Sequence, residues 1–482
     1  MPSAKLITPK KTNALELFSS PSSRFRSLVC FVLIAIGLPA LSQDNSPYTR
    51  YGLGDFVPPT NINSRAMGGI SAGVNDFLTI NYNNPASYGY FQSIREPLSK
   101  KMAYGRALLD VGINMDNRTL REPNNIGKFT ASNLLFSHVQ VGLPIRRNWG
   151  LSFGIRPITR ISYKIQNTKM LKDPNSGLPI DTSLTLNQGD GGSYLASLGT
   201  GIKFDLGEYQ SLAFGVNAGY YFGKKDYSTR ISIFNDSLSY NAGNFQTRTT
   251  YGNLYGSAGF QWMINLDKKS DKEKRTWLTI GAFGNWKQTL NASQDIIRET
   301  YYFDETSGNV RLDSVVDKKD IKGKIIYPSS YTAGFVLQRY MTPEKGGWLV
   351  GVDYSKGKWS DYRFYGQADT SVNDKWELRV GGEITPRPKS NYFSNVSYRA
   401  GFFIGEDYIH VGEKLPLLGV SLGMRLPIRN YNRLSPGQDT RINLAFEFIK
   451  RGNNDNLLKE NMFRISAGFC LSDFWFAKRK YE

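Results

Sequence analysis

From about residue 102 onward, apolar and polar positions alternate with period two in segments of about ten to fourteen residues, the pattern of strands and not of helices. The stretch WGLSFGIRPITRISYK, residues 149–164, shows it most clearly. Trp149, Leu151, Phe153, Ile155, Pro157, Thr159, Ile161 and Tyr163 fall on one face; Gly150, Ser152, Gly154, Arg156, Arg160, Ser162 and Lys164 fall on the other. The first face is mostly apolar with aromatics at both ends, and the second is small or cationic. A soluble sandwich would bury the apolar face. Strands this long, with aromatic ends and a polar reverse face, instead fit a transmembrane barrel, whose strands need about 9–11 residues, aromatic girdles and a polar interior. On that reading Arg156, Arg160 and Lys164 point into a wet lumen.

The same alternation recurs at 103–115, 135–145, 194–204, 212–222, 254–264, 278–286, 331–340, 348–359, 376–384, 397–409, 418–426, 441–449 and 463–471, which makes about fourteen candidate strands. An even number is what a single-chain bacterial barrel requires. Following the chain, the connections at 144–148, 205–211, 265–276, 341–347, 387–396 and 428–440 are short and read as periplasmic. Those at 116–133, 165–193, 223–253, 288–330 and 360–375 are longer and read as outer loops, with 410–417 the short exception. The stretch 288–330 has room for its own hairpin, with Tyr301–Phe303 facing Lys324–Tyr327. Pro157 reads as an edge-type irregularity, with a local break in the ladder as the alternative. The predicted fold is all-β, a transmembrane antiparallel barrel of about fourteen strands.

The start of the chain predicts its destination. Arg24 and Arg26 precede an apolar run from Leu28 to Ala40, too short to span a bilayer as a helix, which takes about 20 residues. Ala40 and Ser42 sit at the −3 and −1 positions of a cleavage site, so residues 1–42 are predicted to be a secretory signal peptide. The expected organisation is a signal at 1–42, an N-terminal plug at 43–101, a barrel at 102–476 and a charged tail at 477–482. The net charge of +19 falls to about +15 without the first 42 residues. Basic proteins often bind nucleic acid, but export argues against that partner, and charged loops facing anionic lipid head groups account for the excess. Localisation is therefore predicted as the bacterial outer membrane, with outer-membrane lipid as an expected partner.

Catalytic and metal chemistry is poorly supplied. Two histidines, His138 and His410, cannot make a multi-histidine metal site alone, and no nucleophile–base–acid order surrounds them. His138 falls on an inward strand position and reads as a lumen hydrogen-bonding group. Cys30 lies within the apolar leader run, so Cys470 alone remains and no internal disulfide can form. No cofactor, metal or enzymatic activity is predicted.

Residues 43–101 do not alternate. They are rich in Gly, Pro and Asn, yet Phe56, Met67, Ile70, Phe77, Leu78, Ile80, Tyr82, Tyr88, Tyr90 and Phe91 are too many apolar groups for a solvated linker. A fourteen-stranded barrel has room for them inside. The glycine-rich MGGISAG (Met67–Gly73, with Gly68 and Gly69), then Asn84, Pro85 and Ala86 followed by aromatics, resembles the N-terminal hatch of the FadL-like family of outer-membrane barrels. SPYTRYGLGDF, near the predicted mature start, resembles the opening of related barrels. The resemblance implies a plug inside a fourteen-stranded barrel, with Asn84 capping a turn and Pro85 fixing φ near about −65°. It also implies uptake of a hydrophobic small molecule such as a fatty acid. From their inward strand positions, and not from the resemblance, Arg156, Arg160, Lys164 and His138 are candidate lumen or ligand-anchor residues. The alternative is a non-transporting accessory or structural barrel of an outer-membrane protein-secretion or assembly complex, with protein partners.

Overall fold

The computed structural model describes residues 46–95, 102–123, 127–172, 174–235, 240–267, 275–304, 308–428 and 437–475. The predicted signal peptide, the end of the predicted plug and the charged tail lie outside them. Among the described residues, fourteen wall strands run antiparallel, each paired with its sequence neighbours. They are β1 (Met102–Arg121), β2 (Lys128–Arg146), β3 (Trp149–Lys172), β4 (Pro179–Asp205), β5 (Gln210–Phe234) and β6 (Ala242–Asn265). The next two are each broken once: β7 as Thr276–Asn285 and Gln288–Asp304, β8 as Gly308–Tyr327 and Ser330–Arg339. The rest are β9 (Gly347–Gly357), β10 (Lys375–Thr385), β11 (Ser397–Val411), β12 (Glu413–Ile428), β13 (Asp439–Arg451) and β14 (Lys459–Trp475). β14 pairs with β1 from Lys459↔Arg121 to Trp475↔Gly105, which closes the barrel. Closure satisfies backbone groups that hydrocarbon cannot solvate.

Alternation produces the belt. On β5, Phe214, Val216, Tyr220 and Phe222 are exposed outward, while Ala213 and Tyr221 are buried inward. Further along β5 the outward positions turn polar, and Lys224 pairs with Asp190 of β4 in solvent at 2.8 Å. The apolar belt therefore ends near Phe222.

The strands do not end there. β3 to β8 continue well past the belt and keep pairing, so that they form a six-stranded open sheet above the barrel. The stretches expected as outer loops at 165–193 and 223–253 are thus mostly strand. Their outward residues become polar, which erases the hydrophobic alternation without disturbing the ladder. Among the described residues, only the connection after β9 remains a long irregular outer loop, holding short pieces at Trp359–Asp361, Arg363–Phe364 and Gln367–Ala368. The hairpin expected within 288–330 is present, but its register pairs Gln288 with Tyr327 and Tyr301 with Arg311, so Tyr301–Phe303 does not meet Lys324–Tyr327.

One seam departs from the regular barrel. β2 and β3 pair only as far as Val139↔Ile155. Just beyond, the β3–β4 register shifts by one residue between Pro157 and Thr159. Proline has no N–H to give the ladder, and the local break is the outcome here, not a harmless edge irregularity. A one-residue shift also exchanges the two faces of a strand. Before it Ser152 is inward and buried; after it Thr159, Ile161 and Tyr163 are the buried ones.

Val216 sits within the apolar belt with 54% of its surface exposed. Val216→Arg should destabilise the barrel by about 2–4 kcal/mol, as cations do on a lipid face near the midplane. Denaturant titration of the protein folded into lipid vesicles measures this.

Candidate functional site

The lumen is the only interior the wall creates, and residues 46–95 run through it. Their path is fixed first by glycines on the wall. A Cβ added at Gly401 would lie 2.0 Å from the Gly68 nitrogen, and one at Gly381 would lie 2.0 Å from the Met67 carbonyl oxygen. On the other side, a Cβ at Gly215 or Gly201 would lie 2.3 Å from backbone atoms of Pro85. Backbone packs on backbone at these points, which only glycine allows. Gly68 and Gly69 themselves have φ of +67° and +86°, and the Gly68 N–H donates to Ser421 Oγ at 2.8 Å.

Asn84 is fully buried. Its Oδ1 accepts the Ala86 N–H at 3.2 Å, capping a 3-10 turn that begins at Pro85. Its Nδ2 donates to the carbonyls of Ala72, at 2.7 Å, and of Phe260 in β6, at 3.1 Å. Asp353 of β9 accepts the N–H groups of Ser71 and Ala72 at 2.6 and 2.9 Å. Asn217 of β5 donates to the Tyr82 carbonyl at 3.2 Å. The plug is thus bound to the wall through its main-chain N–H and C=O groups and the Asn84 side chain.

Above this layer lies a buried charge network. Asp55 accepts from Arg118 of β1 at 2.7 Å and pairs with Arg451 of β13 at 3.0 Å. Glu460 of β14 pairs with Arg118 and Arg451, each at 3.1 Å, and Arg451 also meets Asp407 of β11 at 2.9 Å. Beside them Arg464 pairs with Asp116 at 2.6 Å and with Glu447 at 3.6 Å. Arg65 of the plug donates to Ser466 at 3.0 Å and to the Thr60 carbonyl at 2.9 Å. At the periplasmic end Arg425 pairs with Asp76 of the plug, and Arg399 with Glu383 at 2.6 Å. Sequence reasoning did not single these residues out. Part of their signal was present: Asp116 and Arg118 on β1, Glu447 and Arg451 on β13, and Glu460 and Arg464 on β14 fall on the inward face of the period-two pattern.

An aromatic layer closes the outer end. Trp359 from the long loop stacks near Tyr408 with centroids 4.3 Å apart, Phe56 of the plug meets Tyr408 at 4.9 Å, and Tyr327 meets Tyr221 at 5.1 Å. Tyr221, Tyr251, Tyr327, Trp359, Tyr362 and Tyr408 are all buried.

The residues expected to anchor a ligand do not converge. Arg156 points inward, donates to the Pro59 carbonyl at 2.7 Å and to Asn83 at 3.2 Å, and lies over the Tyr82 ring. Arg160 reaches Asn133 of β2 at 3.1 Å, across the seam. Lys164 is exposed, because the shift at Pro157 moves it off the inward face; its expected lumen position is corrected. His138 is fully buried, with Nε2 at 3.2 Å from Asp110 and Nδ1 at 3.1 Å from Ser137. Three cavities border the plug. One of about 110 Å³ is lined by Asp55, Arg65, Arg379 and Arg451. One of about 160 Å³ lies between Phe56, Pro157, Tyr255 and Trp359. One of about 350 Å³ lies among Asp76, Glu383, Arg425 and Arg441. Among the described residues no group of three or more His, Cys, Asp or Glu could hold a metal ion.

Strand count, closure and outward belt define the class: a bacterial outer-membrane β-barrel. The chain belongs to the BamG family, whose model matches residues 24–482. Similar solved structures include the Pseudomonas putida toluene transporter TodX, with 14% identity, 87% of this chain and 99% of that one covered, and a TM-score of 0.46. A Pseudomonas aeruginosa FadL homologue gives 14% identity, 88% and 100% coverage and a TM-score of 0.46. The Ralstonia pickettii toluene transporter TbuX gives 14%, 86% and 97%, and 0.43. No curated protein sequence matches.

Arg118 is buried between two carboxylates of different elements. Arg118→Met should cost about 3–5 kcal/mol, because it strands buried carboxylates. It should also expose the segment around Asp55 to protease while the barrel stays folded. Adding Asp55→Asn to it should restore part of the loss in thermal unfolding experiments.

Proposed function

We propose that this barrel works as a non-transporting accessory subunit of an outer-membrane protein-assembly or secretion complex. The observation that carries the reading is the closure of the lumen at three successive levels. Plug backbone lies on wall glycines, a network of paired arginines and carboxylates crosses the middle, and tilted and edge-on aromatics cover the outer end. Sites for apolar small molecules are mostly apolar and take about 300–1,000 Å³. Of the cavities described, those of about 110 and 160 Å³ beside the plug are below that range, and the one of about 350 Å³ mixes Phe77, Leu78, Met341 and Trp348 with the ion pairs of Asp76, Glu383 and Arg425. A body closed in this way offers surfaces in place of a path, and the open sheet above the belt is the largest of them.

Uptake of a hydrophobic molecule is the second reading, favoured by the seam at Pro157. There the β2–β3 ladder stops, and a small cavity with Phe56, Tyr255 and Trp359 in its lining adjoins the gap. A carboxylate on such a ligand would find Arg156 and Arg160 nearby.

Mild solubilisation of native outer membranes separates the two. The accessory reading expects fixed-stoichiometry protein partners on the mature chain and no conductance or ligand flux from the purified barrel in vesicles. A barrel that purifies alone, carries a lipid-like molecule beside Pro157 and loses uptake on Thr332→Trp, a change in the lining of that same small cavity, would replace it with the transport reading.

A further inference from the structure

The six-stranded sheet above the belt has two edges, and they are treated differently. The edge along β8 is blunted. The β7–β8 ladder shifts register three times, and the edge strand carries Asp317, Lys318, Lys319 and Asp320 in succession. Bulges and charges of this kind are how sheets avoid unwanted pairing. The edge along β3 has no bulge over this stretch, and its charges are lysines alone, without acids. From Thr159↔Ser193 to Leu171↔Asp181 its ladder to β4 runs without a shift. Its other side has lost β2, which stops at Ile155.

The plug already shows that this edge accepts a strand. Asp55 and Phe56 pair antiparallel with Arg160 and Thr159, and the Val57 N–H donates to the Ile158 carbonyl at 3.0 Å. One step further, Thr49 Oγ1 donates to the Ser162 carbonyl at 3.1 Å and accepts its N–H at 3.3 Å. The even-numbered backbone groups therefore face the edge. With the ladder unbroken, those of Lys164, Gln166, Thr168 and Met170 face it too, and no described strand pairs with them.

We infer that residues 164–170 of β3 form a docking edge for an extended segment of a second protein, added as a further strand. The occupant is acidic, alternating apolar with carboxylate residues. Between Ser162 and Lys172 this strand holds Lys164, Lys169 and Lys172, all exposed, and no acid. Main-chain hydrogen bonds would supply affinity, and the lysines would select the sign of charge. The inference rests on the accessory-subunit reading and names where one partner attaches.

The probe is a fluorescent peptide of alternating valine and glutamate, titrated by anisotropy against the full-length barrel in detergent. It should bind saturably, and a valine–lysine peptide should bind at least about tenfold more weakly, a difference of about 1.4 kcal/mol. Thr168→Pro and Gln166→Pro remove N–H groups that point away from β4, so the β3–β4 ladder survives and each should abolish binding. Thr168→Ala should bind as wild type. Equal binding to the proline variants would leave only lysine charge as the cause and overturn the inference. So would absence of binding to wild type, or a Thr168→Cys barrel that crosslinks to its own copy through this edge. A barrel that keeps its co-purifying partners yet ignores the peptide defeats this inference alone. One that purifies without partners and transports defeats the accessory reading instead.

Discussion

Asp55 ties together two parts of the molecule that would otherwise be independent. Its carboxylate sits between Arg118 and Arg451, and its backbone pairs with Arg160 where the barrel's own ladder has failed. Buried carboxylates are costly unless paired, so the plug must enter far enough to place Asp55 between the two arginines. Once there, its neighbour Phe56 reaches Trp359 and Tyr408, and the outer aromatic layer closes on it. The lateral seam and the outer end of the lumen are thus both filled by one short stretch of chain.

The wall was legible in the sequence because hydrocarbon imposes a strict code. Outward positions such as Phe153, Val216 and Phe402 must be apolar, and period two follows. Above the belt water faces both sides, the code lapses, and strands such as 223–234 resemble loops although they pair fully with β4. Lys164 was misplaced for a related reason. A bulge changes which face a residue occupies, and nothing in the composition around Pro157 says whether a proline bends an edge or shifts a register. The plug's place was suggested by its stranded aromatics and its glycines. The groups that hold it were less visible, because they are wall glycines and single charges whose meaning depends on which backbone lies opposite.

The two edges of the outer sheet supply a further contrast. Both are exposed, and both belong to strands that outrun the barrel. The β8 edge combines three register shifts with alternating charge, while the β3 edge keeps a straight ladder with charge of one sign. Long straight edges are a hazard that proteins ordinarily suppress with bulges as well as charge. An edge left straight beside one that is blunted points to a pairing that is used.

The charge network also bears on how the lumen can behave. An apolar plug–wall contact could slide, since dispersion has little direction. Here Arg118, Arg451 and Arg464 are each held by carboxylates from different elements, and moving the plug by one residue would break several pairs at once. Arg451 alone joins β13 to β11, to β14 and to the plug. Such a network is poor as a gate that opens on binding a small apolar ligand, because the ligand offers nothing to replace the lost partners. It is well suited to holding the barrel in one shape, and a fixed shape is what a docking surface requires.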